Sequence, residues 1–397
     1  LPLVDLDTIS VNSNYWDKRK LYPKYIISAG VTHSPWDWCG YTDLNKKHDT
    51  YMLERKTIFA YLSEKQLSAI RKKKCFLLLD QSHEGYHTSW LFEWFHDCCN
   101  HYDINPTQII YVTGNLAVIE QYNNWCNINT IQDKMCVIPN IQFEEFIQDA
   151  AEKQGSTLPT SFQQIEYKTK NTDNIKLYNA FQKRTRPHRI WLFSKLYENN
   201  LLDVGINSMN SFRHSNSYYE GKTLNVELYK SLINILPIYP RTDLNDKFKD
   251  AFEGGLGGLF ERDLNHQATL DTWISVISEA SFAEDTCFIS EKSFKPIATC
   301  HPFIMYGNKH SLKYLKNLGY KTFSDFFDES YDDLESWDRL DAIIKLLKDI
   351  NLMDADKKIQ WFTSMKDVLD YNFNVLKENT RAKTPRSAIL LSNYMAD

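Results

Sequence analysis

Short apolar runs alternate with amphipathic segments through the first 140 residues, and the spacing of the apolar positions separates strands from helices. Residues 25–29 read as a strand, and residues 74–80 as a stronger one that ends in the loop Gln81-Ser82-His83-Glu84-Gly85. Residues 88–99 follow at helical spacing, with Leu91, Phe92, Phe95 and Cys99 on one face. Residues 108–113 form the next strand, residues 116–125 a helix, and residues 134–138 another strand stopped by Pro139. Strand–helix repetition of this kind predicts a parallel sheet with helical crossovers. Ligands on such sheets sit beyond the carboxyl ends of the strands, which singles out residues 80–84 and 113–115.

The pattern breaks at residues 151–183, where Gly155, Ser156, Thr157 and Pro159, then residues 168–174, read as exposed linker and loop. It resumes at Arg184. Weaker strands are expected at 224–228 and 235–239, then clearer ones at 272–277, 287–289 and 302–306. The glycine cluster at 254–258 lacks the spacing of a phosphate-binding fingerprint. The final part is helical, with Trp337, Leu340, Ile344 and Leu347, and then Trp361, Met365 and Val368, three and four apart. The expectation is an α/β protein of two Rossmann-like domains, residues 1–175 and 176–350, with C-terminal helices (351–397) packing back toward the first domain.

At 397 residues the chain has room for two domains. Its 43% hydrophobic and 24% charged content is that of a globular protein. A formal net charge of −5 argues against a general coat on nucleic acid but leaves room for a locally basic cleft. No apolar run reaches membrane-spanning length, and no basic segment followed by an apolar core marks a signal peptide, so a cytoplasmic location is expected. The eight cysteines include no Cys-x-x-Cys pair and mostly lie in apolar runs; buried free thiols are the expected state, and no zinc site.

The most informative stretch is 288–307. An apolar run leads into Ser290-Glu291-Lys292 at a helix start, Lys295 and Pro296 follow, and a second apolar run ends at Gly307. A helix N-terminus offers unpaired N–H groups and partial positive charge, which suit a phosphate. Lys292 adds a full charge, and Glu291 can accept from ribose hydroxyls. The same residues also read as an ordinary N-cap with a first-turn acid. Upstream, Lys183, Arg184, Arg186, His188 and Arg189 form a basic cluster before an amphipathic run, either a bidentate phosphate clamp or a solvated linker.

The 288–307 stretch resembles the donor-binding motif of the α1,3-fucosyltransferase-like glycosyltransferases, in which a strand runs into Thr/Ser-Glu-Lys and a strand of the form Pro-hydrophobic-hydrophobic-x-Gly follows. The resemblance spans roughly residues 175–330, and the segment 311–331 looks like one in viral and bacteriophage relatives. It implies a GT-B architecture, two Rossmann-like domains facing a cleft, with the nucleotide on the second. It further implies that Arg189, or alternatively Arg186, clamps the diphosphate, with Ser290, Glu291, Lys292 and Lys295 completing the donor site. The family's catalytic-carboxylate motif in the first domain is not found here, so glucosyl, galactosyl, xylosyl and fucosyl donors all remain open.

Inverting transfer needs a base for the acceptor hydroxyl and positive groups for the departing diphosphate. For the base, Glu84 is the first choice, then His83 and Asp80, all just after the clearest strand; each also reads as a turn or capping residue. Glu279 is a further polar residue near the donor. No metal or other cofactor is expected: Asp5-Leu6-Asp7 and Asp354-Ala355-Asp356 read as structural. The expected partners are a nucleotide-sugar donor, linked to GDP or UDP, and a glycan or other hydroxyl acceptor, with nucleic acid only as an acceptor. The competing classes are a nucleotide-sugar-binding protein without catalysis and a bacteriophage-type DNA-base glycosyltransferase, which would need a basic groove and aromatic wedges.

Overall fold

A computed structural model of the chain describes residues 26–31, 59, 62–82, 85, 89–140, 142–155, 158–182, 184–238, 264, 266–280 and 286–381. The chain divides into two compact units. One comprises Leu1–Gln142, Asp285–Phe288 and Ala382–Asp397; the other comprises Phe143–Glu284 and Ile289–Arg381.

The first unit runs β1 (Ile26–Val31), α1 (Glu64–Arg71), β2 (Phe76–Gln81), α2 (Ser89–His101), β3 (Ile109–Thr113), α3 (Val118–Ile128) and β4 (Cys136–Pro139). Its strands are all parallel in the order β1-β2-β3-β4. Leu77, Leu78 and Leu79 of β2, and Ile109 to Val112 of β3, are buried whichever way they point. A strand covered on both faces requires that. The α2 face of Leu91, Phe92, Phe95 and Cys99 is buried as its spacing predicts, and Phe95 meets Tyr111 of β3 at 5.1 Å between ring centroids.

In the second unit α4 (Gln142–Gln154) and α5 (Ser161–Lys170) precede β5 (Lys176–Gln182), α6 (Pro187–Glu198), β6 (Gly205–Met209), α7 (Val226–Ile235), α8 (His266–Leu270) and β7 (Thr272–Ser278). There follow α9 (Glu291–Ala298), β8 (Phe303–Tyr306), α10 (Ser311–Asn317), α11 (Ser336–Asn351), α12 (Ala355–Ser364) and α13 (Lys366–Arg381). This sheet is also parallel, but its order is β6-β5-β7-β8. From β5 the chain goes to β6 on one side, then returns to place β7 and β8 on the other. The two halves therefore part between β5 and β7, the topological switch point at which parallel sheets bind ligands.

The structure departs from the sequence expectations in several places. Residues 151–155 and 158–182 are not linker throughout: they hold the end of α4, all of α5, and β5 within the second sheet, with short turns between them. Thr160 and Gln163 form a capping box that starts α5. Lys168, expected to be exposed, is buried, its ammonium donating to Gln164 Oε1 (2.7 Å) and to the carbonyls of Thr269 (2.7 Å) and Leu270 (3.0 Å). Of the strand expected at 235–239, Ile235 ends a helix and Ile238 makes an isolated antiparallel bridge with Met209 of β6; the strand expected at 224–228 gives way to the start of that helix, α7. Asn225 caps it by accepting from Leu228 N, and Leu232 is its buried anchor.

Residues 287–289 are extended but belong to no ladder, because the backbone of Cys287 is spent on Asn115 and Leu116. The domain boundary expected after residue 175 falls inside the second unit, between α5 and β5. The C-terminal helices pack within that unit: α13 lies against α9 and α5, and α12 against α5. Gln148 of α4 donates to the Lys377 carbonyl at 3.2 Å. No helix among the described residues is long and apolar enough to cross a membrane.

Candidate functional site

The polar groups of the second unit converge where β5 and β7 part. Immediately after β5, Arg184 is exposed and Arg186 half-buried; Arg186 is the N-cap of α6 and Pro187 its first residue. Proline suits that position because its fixed φ is already helical and the N–H it lacks would have had no partner there. His188 and Arg189, in the first turn of α6, are both buried. Arg189 Nη2 donates to the carbonyls of Ser278 (3.1 Å) and Glu279 (2.9 Å), and Nη1 reaches the Arg184 carbonyl at 3.5 Å. His188 Nε2 donates to the same Glu279 carbonyl at 3.0 Å. Two side chains of α6 thus grip the end of β7.

The second wall is the N-terminus of α9. Ser290 is its N-cap and accepts from Lys292 N. The Lys292 ammonium lies 2.5 Å from Glu291 Oε1 and 3.2 Å from Ser290 Oγ, with its side chain 27% exposed. Burial pushes the Glu291 carboxyl up, but the charges of Lys292 and Lys295 outweigh it and hold the group down at about 2. Glu291 is therefore an anion at any physiological pH. Burial, reinforced by the charges of Arg189 and Arg186, lowers His188 to about 3, so its ring is neutral and Nε2 carries the proton. Burial and then the like charge of Arg186 lower Arg189 to about 10, which leaves it cationic at neutral pH.

These contacts sort the expected donor residues by what each can still touch. Ser290, Glu291, Lys292 and Lys295 share one short helix beside the Arg184–Arg189 loop. Arg189 is buried to 3% exposure and bonds backbone carbonyls, so in this geometry it fastens α6 to β7. Arg186, Lys292 and Lys295, all half-buried, are the more accessible of the expected donor cations, and Arg184 beside them is exposed. Two residues gain a part the sequence did not signal strongly. Ser293, one turn beyond Ser290, donates to Glu279 Oε1 at 2.5 Å, and Gly307 leaves room for the Glu279 side chain. The signal available was a serine pair at i, i+3 on a helix face, opposite a carboxylate directly after a strand.

In the first unit, Asp80 lies within β2, in register with Val31 and Val112, because the strand continues through Gln81 instead of ending before it. His83 and Glu84 lie outside the described residues, as do Lys183, the 254–258 glycine cluster and the Asp5–Asp7 pair. Asp354 caps α12 by accepting from Lys357 N at 2.8 Å, a structural part as expected. Among the described residues all seven cysteines are free and buried, and no group of three or more His, Cys, Asp or Glu side chains could hold a metal ion. No protein-family model matches the sequence, and no curated protein matches it.

Proposed function

We propose that the protein is a glycosyltransferase of GT-B type that moves a sugar from a nucleoside-diphosphate donor to an acceptor hydroxyl, with inversion and without a metal. The observation that carries this reading is the convergence, at the β5/β7 switch point, of the α9 N-terminus with Lys292, Lys295 and the Arg184–Arg189 loop. Around that point the cations Arg184, Arg186, Arg189, Lys292 and Lys295 outnumber the carboxylates Glu279 and Glu291. Such a place favours an anion with several charges, and the partial positive charge of a helix start adds to that preference.

Charge accumulates on the diphosphate as the glycosidic bond breaks. Lys292, Arg186 and the α9 terminus are fixed groups that stabilise this charge without reorganising. The ionised Glu291 keeps Lys292 at the helix start and can accept from a ribose hydroxyl. The base that takes the acceptor proton is assigned to Glu84, with His83 and Asp80 as alternatives, on the first unit.

Calorimetry with GDP and UDP on the full chain tests the donor half of the proposal. Binding is expected, GDP ahead of UDP, and Lys292→Ala should weaken it by about 1.5–3 kcal/mol, the worth of a hydrogen bond to a charged group. Equal affinity in the two proteins would remove Lys292 and the switch point from the reading. Nucleotide binding without turnover of any donor would favour a binding protein instead.

A further inference from the structure

Glu279 follows β7 directly and is wholly buried. A buried carboxylate is tolerated when its lone pairs are filled, and here each oxygen takes two donors. Oε1 accepts from Ser290 N (3.1 Å) and Ser293 Oγ (2.5 Å); Oε2 accepts from Ser290 Oγ (2.6 Å) and Ala280 N (3.0 Å). Nothing is left over for a substrate or for proton transfer. The direction of these bonds has a consequence for Ser290. Its only hydroxyl proton is committed to Glu279, so its lone pairs are turned toward Lys292, where they meet the backbone N–H at 3.4 Å and the ammonium at 3.2 Å. The same Glu279 accepts, at its backbone carbonyl, from Arg189 and His188. Gly307 belongs to this arrangement: a Cβ there would lie 3.2 Å from Glu279 Cγ and 3.1 Å from Ser311 Oγ.

We infer that Glu279 is a positioning residue: through Ser290 it aims the Lys292 ammonium, and through its carbonyl it sets the arginine loop, so that both walls of the switch point are held by one side chain and one peptide group. This rests on the nucleotide reading of the site. A lysine carries large rotamer entropy, and fixing its head group before the ligand arrives removes that cost from binding. The carboxylate therefore works at a distance from any phosphate and needs no contact with it.

A double-mutant cycle on the full chain, read by GDP calorimetry, separates positioning from general support of the fold. Glu279→Gln keeps size and shape but replaces one acceptor oxygen with a donor amide, freeing the Ser290 hydroxyl. It should weaken GDP about tenfold when Lys292 is present and less than about twofold in a Lys292→Ala background, because residues acting as a unit are not additive. Ser290→Ala removes only the relaying hydroxyl, leaves Glu279 three donors, and should give the same coupling if Glu279→Gln does not fold. Equal losses in both backgrounds would overturn the positioning role while leaving the nucleotide site standing. A wild-type protein that binds no GDP, or binds it no better than Lys292→Ala, would overturn both.

Discussion

The two parallel sheets differ in strand order and in what their strands bury. The first runs β1-β2-β3-β4 without reversal, and the buried polar side chains described in β2, β3 and β4 are Gln81 and Thr113, both at the carboxyl ends. The second runs β6-β5-β7-β8, reverses at β5, and carries Asn179, Asn207, Ser208, Thr272 and Ser275 inside its strands. These groups find partners across the sheet or beside it: Asn179 donates to Thr272 Oγ1 at 2.8 Å, and Ser275 Oγ meets His301 Nδ1 at 3.0 Å. An aliphatic sheet is held mainly by its backbone ladder and by burial. A sheet threaded with hydrogen-bonded polar side chains also fixes its register, since a slip would leave those groups unpaired in the interior. The second kind of sheet is the one whose carboxyl edge gathers the charged residues.

The largest expected effect lies on the first sheet. If the second edge holds the donor and the first supplies the base, Glu84→Gln should lower turnover about 10²–10⁴-fold, the usual contribution of a general base, with nucleotide affinity nearly intact. Single-turnover kinetics beside GDP calorimetry would check this. Near-normal turnover in Glu84→Gln, His83→Ala and Asp80→Asn alike would end the assignment of the base to the edge of β2.

A smaller effect tests the charge held at the second edge. The folded Glu291 carboxyl titrates at about 2, below its ordinary 4.5, so folding favours its ionised form. Its stabilisation is present above pH 4.5 and is lost as the pH falls through about 2; by linkage it amounts to about 3 kcal/mol. Glu291→Gln should therefore be less stable than wild type at pH 7 by that order, and the two should converge on acidification. Urea unfolding from pH 7 down to pH 2.5 measures it. A gap that stays constant with pH would mean that Glu291 contributes packing and not charge.

The same contrast explains what could be read from the residues. Strands β2, β3 and β4 and helix α2 are legible because their apolar positions follow one period within one window. Strand β5, Lys-Leu-Tyr-Asn-Ala-Phe-Gln, was hidden inside an expected linker, and β6, Gly-Ile-Asn-Ser-Met, was not expected at all. Their buried polar groups look like loop until the partner is known, and for Asn179 that partner is 93 residues away. At the site, Ser290 as a helix cap and the nearby basic loop were legible as local patterns. The clasp on Glu279 was not, since it joins residues 11 and 14 positions apart through hydroxyl directions that no spacing encodes. The burial of Arg189 was likewise invisible, because a guanidinium that bonds carbonyls and one that faces solvent have the same sequence context.

The smallest expected effect asks whether the first edge is merely structural at β3. Asn115 stands just beyond that strand, wholly buried, and its side chain makes three hydrogen bonds: Oδ1 accepts from Ala117 N and Cys287 N, both at 3.1 Å, and Nδ2 donates to Gln121 at 2.6 Å. Removing it leaves buried N–H groups without acceptors, so Asn115→Ala should cost about 1–3 kcal/mol of stability. A site whose cations lie on α6 and α9 should keep its GDP affinity within about twofold when Asn115 is replaced, as separate sites do. Denaturant unfolding and calorimetry on the one variant give both numbers. Were GDP affinity to fall as far as in Lys292→Ala, the edge of the first sheet would be part of the nucleotide site, and the contrast between an aliphatic scaffold and a ligand-holding sheet would fail at this residue.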